Sequence, residues 1–244
     1  MDRRFAILGD IHANIDALNA VVEDARGQGV SDFVCVGDIV GYNAAPAECI
    51  KLVRELNMVC VRGNHDHFCK ANESLGDFQP TAASVIDWTR RALSDDDARW
   101  LGELPLSRIV SGLFTLVHAT LDMPENWGYV FDALEAEAHF TYQNTMLCFH
   151  GHTHVPIIFE KVNGRVFRTE PARVRIKLGT KYFINTGSVG QPRDNDPRAS
   201  YVIYHAKPRE VEFRRVPYDI LTAVARVRRS GLPERLAHRL ETGK

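Results

Sequence analysis

Phe5-Ala-Ile-Leu-Gly-Asp-Ile-His12 sets the grammar of this chain: a short apolar run, a glycine, then an acid and a histidine. The grammar returns at Phe33-Val-Cys-Val-Gly-Asp38 and, with an amide in place of the acid, at Met58-Val-Cys-Val-Arg-Gly-Asn-His65. Between the first two runs Ile15, Leu18, Val22 and Ala25 recur at helical spacing, with Asn14 to cap the start and Gly27 and Gly29 to stop it. Pro46 opens a second helix that carries Cys49, Ile50, Val53 and Leu56 on one face. Strand, polar turn, helix, strand is the order of βαβ units in a parallel sheet. In such sheets the site lies beyond the carboxyl ends of the strands, where Asp10, Asp38 and Asn64 all fall.

Working outward, Val85, Ile86, Thr89 and Leu93 predict a helix, and Ser94 caps another whose first turn is Asp95-Asp96-Asp97. The pattern then changes. Apolar runs at 106–110 and 113–118 flank Ser111-Gly112, and runs at 155–162 and 165–169 flank Asn163-Gly164, both hairpin signals. Further strand-like runs lie at 182–185, 201–205 and 211–216, so the second half is strand-rich and partly antiparallel. One parallel and one mixed sheet, packed face to face with helices outside, would accommodate both halves. No linker or repeat interrupts the 244 residues, so a single domain spanning 1–244 is expected, with amphipathic helices at 218–241 packing on it or extending from it. Their apolar face suits either dimerisation or cover of the core.

Composition narrows the function. Lys plus Arg number 30 against 31 Asp plus Glu, a formal net charge of −1, so no bulk basic field exists to hold nucleic acid or an anionic membrane. Affinity for phosphate must come from a local site. No apolar stretch approaches the ~20 residues that span a bilayer, and the run after Met1-Asp-Arg-Arg is too short for a signal peptide. The cysteines number 5 and form no CxxC pair, which predicts buried thiols in a reducing compartment; a cytoplasmic protein is expected. No GxGxxG or GxxxxGK[ST] stretch supports a Rossmann or P-loop role.

Chemistry gathers in the polar segments after the apolar runs. Asp10 and His12, and likewise His152 and His154, are i,i+2 pairs, which in extended chain put both side chains on one side. Asp10, His12, Asp38, Asn64, His118, His152 and His154 offer nitrogen and oxygen donors and no thiolate, more than one tetrahedral ion takes. The set suits two divalent ions of the Mn, Fe, Ni or Zn type with one carboxylate bridging. Two such cations, two carboxylates and a bridging hydroxide leave a charge of about +1, a receptor for phosphate that can activate water for in-line attack.

These segments, D-x-H at Asp10, G-D at Asp38, G-N-H-D at Gly63, the lone His118 and G-H-x-H at Gly151, resemble in order and spacing the signature of the calcineurin-like metallophosphoesterase superfamily. The resemblance implies an α/β fold, a four-layer αββα sandwich of two mixed sheets with flanking helices. It implies that Asp10, His12 and His154 hold one metal and Asn64, His118 and His152 the other, with Asp38 bridging. His65 would protonate the leaving oxygen or stabilise the transition-state charge. The chain reads Gly37-Asp-Ile-Val-Gly-Tyr42 where the superfamily's protein Ser/Thr phosphatases carry an arginine, and with 185–193 it is similar to the small prokaryotic phosphodiesterase branch. There the commoner forms are N-P-G-S and V-H-G; Thr186 and Ala119 depart from them without removing a ligand.

The resemblance therefore implies a metallophosphoesterase acting on a small phosphate-ester or nucleotide-type substrate, a phosphodiesterase ahead of a phosphatase, with no membrane or nucleic-acid partner. The alternatives are a metal-bound scaffold without turnover, as in the retromer subunit of the superfamily, and a dinucleoside polyphosphate hydrolase. Asn43 and Arg193 are further candidates for substrate contact, Arg193 as a phosphate clamp or as a surface partner of Asp194 or Asp196. Asp66 is expected to orient His65 or cap a turn. His67, His139, His150, His205 and His238 read as structural histidines, and Arg226, Arg228, Arg229, Arg235 and Arg239 as a solvated helix face. Trp127, Tyr129 and Phe131 suit either a lid or core packing.

Overall fold

Strands buried on both faces cannot show a polar–apolar alternation, and here the alternation runs instead between two apolar destinations. In β1 (Arg4–Leu8), Phe5 and Ile7 face one cluster while Ala6 and Leu8 face another. In β11 (Ala199–His205), Val202 and Tyr204 join the former and Tyr201 and Ile203 the latter. A computed structural model describes residues 3–70, 73–76 and 79–244. It contains two sheets of six strands. The first runs β3 (Val59–Cys60), β2 (Asp32–Cys35), β1, β11, β12 (Glu210–Val216), β9 (Val174–Arg175). The second runs β4 (Ser107–Val110), β5 (Phe114–Val117), β6 (Leu147–His150), β10 (Lys181–Asn185), β7 (Ile157–Val162), β8 (Arg165–Thr169).

Both sheets are mixed. The parallel βαβ run β3-β2-β1 is continued by antiparallel β11 and β12, so the expectation of one purely parallel sheet is corrected: the C-terminal strands complete the N-terminal sheet. In the second sheet β5, β6 and β10 are parallel, and the two predicted hairpins β4–β5 and β7–β8 close its edges. Asn163 and Gly164 at the β7–β8 turn both have positive φ, as a two-residue hairpin turn requires.

The sheets meet over an aromatic centre in which Phe5 and Phe149 stand edge-on to Phe114, at 5.1 and 5.3 Å. On the far side of the first sheet lie α1 (Ile15–Gly27), α2 (Pro46–Glu55), α3 (Asn64–Lys70) and α5 (Asp95–Glu103), which share its apolar cluster. On the far side of the second sheet, α6 (Ala133–Tyr142) packs Ala136 and Phe140 against Cys148, Phe159 and Phe183. The layers are thus helix, sheet, sheet, helix. At the C-terminus α7 (Ile220–Arg229) and α8 (Glu234–Thr242) bury Val224, Val227, Leu236 and Leu240 against Val85 of α4 (Pro80–Ala92), so the apolar face of the tail covers the core. Among the described residues no helix is long and apolar enough to cross a membrane.

Candidate metal centre

The carboxyl ends of β1, β2 and β3 in one sheet and of β5 and β6 in the other open on the same edge. Past the strands the chain keeps its ladder for a few residues: Asp10 N–H donates to Gly37 O (3.1 Å), and the N–H groups of His12 and Ala13 donate to Asp38 O and Ile39 O (2.9 Å each). It then turns sharply, and Asp10, His12, Asp38, His152 and His154 all take left-handed φ between 47° and 69°. Such conformations cost of order 1 kcal/mol or more for non-glycine residues and persist where surrounding structure over-determines them. Glycines make room for the carboxylates. A Cβ on Gly63 would collide with the Asp38 carboxylate, and one on Gly151 with that of Asp10.

The side chains converge. His12 Nε2 lies 3.0 Å from His154 Nε2, 3.9 Å from an Asp10 oxygen and 3.5 Å from Asp38. His118 Nε2 lies 3.1 Å from His152 Nδ1, 3.1 Å from Asn64 Oδ1 and 3.4 Å from Asp38. The opposite ring nitrogens are already committed to backbone carbonyls: His12 Nδ1 to Val40 (3.0 Å), His154 Nδ1 to Gln191 (2.6 Å) and His118 Nδ1 to Val36 (3.0 Å). A carbonyl only accepts, so each of these Nδ1 atoms carries the proton and each Nε2 presents a lone pair inward. Lone pairs facing each other at 3 Å repel, unless a cation sits between them. Backbone carbonyls that fix the tautomer through the far ring nitrogen are the usual setting of a metal-bound histidine.

Charge agrees with geometry. Burial raises the Asp10 carboxyl to about 8 despite the bond it accepts from His152 N–H, and burial with the neighbouring Asp66 and Asp10 carboxylates drives Asp38 well up. Burial holds His12, His152 and His154 well below the usual histidine range, and His118 and His65 at about 3. The site is a buried cluster of neutral imidazoles and carboxyls that ionise at a cost, and divalent cations would supply the missing positive charge. Three donor groups could each hold an ion: Asp10, His12 and His154; His12, Asp38 and His65; Asp38, His118 and His152. The donor set therefore fits a metal centre, with Asp38 common to two of the groups.

Other expected residues fall differently. Asn64 and His65 open α3. Of the two roles expected for Asp66 it takes that of a turn cap: its carboxylate accepts N–H bonds from Ile39, Val40 and Gly63 at 2.8, 3.2 and 3.0 Å, and so pins the turn that carries Asp38. Asn43 is buried, and its amide donates to His12 O (2.8 Å) and Gly190 O (3.3 Å), so it braces loops rather than facing the cleft. Arg193 does face the cleft, 5.4 Å from the Tyr42 ring, while Asp194 and Asp196 pair with Arg215 and Arg198. Trp127 and Tyr129 line the same cleft rather than the core, with Tyr129 stacked 4.1 Å over His152 and Phe131 beside it at 5.7 Å.

The basic tail is likewise corrected. Arg226 pairs with Asp16 and Arg228 with Glu234, but Arg235 and Arg239 line the cleft beside the centre. Their i,i+4 spacing on one helix face was the signal for this, though only the fold shows which way that face turns.

Residues 4–209 match the calcineurin-like phosphoesterase superfamily domain, and the chain belongs to that family. It is 38% identical to the uncharacterized protein MJ0912 of Methanocaldococcus jannaschii over 98% of both chains. It is also similar to a metallophosphoesterase structure from Sphaerobacter thermophilus, with 39% identity, full coverage of both chains and a TM-score of 0.88. The hypothetical protein PH1004 of Pyrococcus horikoshii OT3 shares the fold, at 18% identity, 99% and 98% coverage and a TM-score of 0.81. Family and Asp/His clusters together support a metal-dependent phosphoesterase, a hydrolase.

Proposed function

We propose that the protein is a dinuclear metal-dependent phosphoesterase that hydrolyses a phosphate ester, a phosphodiester by preference. The observation that carries this reading is the pair of facing imidazole contacts, His12 to His154 and His118 to His152, arranged about Asp10 and Asp38. Asp10, His12 and His154 would hold one ion and Asn64, His118 and His152 the other, with Asp38 shared. Bound there, Mn, Fe, Ni or Zn would supply Lewis acidity and an activated water for in-line attack on phosphorus. His65 lines the cleft, its ring 4.9 Å from that of His12 and 4.4 Å from that of Tyr42, and its buried Nδ1 has no hydrogen-bond partner. From that place it donates a proton or a hydrogen bond to the leaving oxygen. Arg193 adds a fixed positive charge at the same wall. The cleft has a volume of about 850 Å³, room for substituents on both sides of a phosphodiester.

A scaffold without turnover would have no use for His65 at the cleft wall, and that residue is present. Bis(p-nitrophenyl) phosphate and p-nitrophenyl phosphate, assayed with each of the four metals, test the reading. Hydrolysis of the diester faster than the monoester is expected with at least one metal. Absence of turnover on either ester with every metal would leave the scaffold reading instead.

A further inference from the structure

We infer that Arg235 and Arg239 of α8, with Arg193, form a second anion subsite, so that the substrate carries a second phosphate beyond the scissile one; the inference rests on the phosphoesterase reading above. Arg193 Nη2 and Arg239 Nη1 converge on the same acceptor, Gln191 Oε1, at 3.1 and 3.2 Å. Arg235 lies one turn before Arg239 on α8, and all three residues line the cleft. Among the described residues none of them has an ion-pair partner, although acids outnumber bases in the chain, 31 to 30. The nearby acids are spent elsewhere, Asp194 on Arg215 and Asp196 on Arg198.

Like charges held together without a counter-ion repel: burial, then Arg193, then Arg235 push the Arg239 guanidinium down. A bound anion relieves that repulsion, and a guanidinium fork matches phosphate oxygens bidentately. Two independent features point the same way. The buried Nε of Arg193 has no partner, and the first turn of α4, at Pro80, Thr81 and Ala82, opens on the same cleft without a side-chain cap. Position separates this subsite from the metal centre. Arg193 is the near member, close enough for its charge to act on Asp10 and His65, whereas Arg235 and Arg239 lie on a helix beyond the residues that match the family domain. The scissile phosphate belongs at the metal ligands, and the α8 arginines meet whatever anion extends from it. The substrate class is therefore a small phosphate ester with two phosphates separated by a sugar, such as a nucleotide phosphorylated at two positions.

The test uses thymidine 3′-(p-nitrophenyl phosphate) and its 5′-phosphorylated form, which share the scissile bond and leaving group. Wild-type protein is expected to show a KM for the 5′-phosphorylated ester about tenfold or more below that of the other, the usual worth of a charge-assisted hydrogen bond. R235A/R239A is expected to bring the two KM values within about threefold of each other, because the added phosphate loses its charged partners. A wild type without preference, or a variant that keeps it, overturns the inference. Arg235 is exposed, so R235A alone carries the same test if the double variant folds poorly. If neither ester is hydrolysed with any metal, the phosphoesterase reading fails by itself. The subsite is then judged by calorimetric titration of both esters, where equal Kd values overturn it.

Discussion

Three backbone N–H groups, those of Ile39, Val40 and Gly63, end on the carboxylate of Asp66, a residue outside the proposed ligand set. The bonds hold Asp38 in its left-handed conformation, from which its Oδ1 accepts His65 N–H at 2.9 Å. Asp66→Ala would leave three buried donors unpaired, each worth about 1–3 kcal/mol. The expected result is a loss of several kcal/mol in calorimetric melting together with lower metal content by plasma mass spectrometry; full metal occupancy in a merely destabilised variant would show that the turn holds without it. His65 differs in kind. His65→Ala is expected to keep metal content while lowering kcat by roughly 10²–10³-fold, the usual cost of one positioned donor; an unchanged kcat removes His65 from the chemistry. At this scale the sequence exposed the side chains that converge, because glycine followed by Asp, Asn or His after an apolar run is a local pattern. It hid the bracing role of Asn43, whose partner lies 31 residues away, and which turn Asp66 caps, since Ile39 is 27 residues from it.

Elements repeat the contrast. The first βαβ units were legible because caps, glycine stops and apolar stripes agree, whereas α6 was not, since Ala-Leu-Glu-Ala-Glu-Ala-His-Phe-Thr-Tyr buries only Ala136, His139 and Phe140 and exposes Leu134. A capping box does the work there: Asp132 accepts from Glu135 N–H, and Glu135 accepts from Asp132 N–H. Asp132→Ala is expected to cost about 1 kcal/mol in denaturant melts; no change would mean packing alone sets the start of α6. Strand β9 escaped notice because two residues on a sheet edge carry no periodicity. In the tail, the apolar stripe was visible but not its docking on α4, so the direction of Arg235 and Arg239 could not be read. Leu236 is fully buried there, and Leu236→Ala is expected to cost about 2–5 kcal/mol and to free the tail to proteolysis. Protection equal to wild type would contradict that docking.

Across the whole molecule, two mixed sheets place their parallel strands so that one edge collects every proposed ligand, and the sandwich around them responds to acid. His139, behind the second sheet, accepts Leu121 N–H at Nδ1 and faces Gln143 Oε1 with Nε2, each at 3.1 Å, and stacks on Phe183. The bond at Nδ1 requires the neutral ring, and burial lowers it to about 3 against the pull of the Gln143 bond. The unfolded chain takes up this proton below about pH 6.5 and the folded chain does not, so stability falls as pH drops from there toward 3, by up to ~1.4 kcal/mol per unit. Asp24 acts lower down: its bond to Arg214 depresses its pKa, so its contribution holds above about pH 4 and is lost below. His139→Gln should flatten the stability profile between pH 6.5 and 4 in calorimetry; an identical slope would exclude His139 as its source.

Two ions sharing Asp38 are what the proposed chemistry requires. Anomalous diffraction from manganese-loaded crystals reads them directly. Two peaks about 3.5–4 Å apart are predicted, one against Asp10, His12 and His154 and one against Asn64, His118 and His152. A single peak, or peaks elsewhere on the protein, would contradict it.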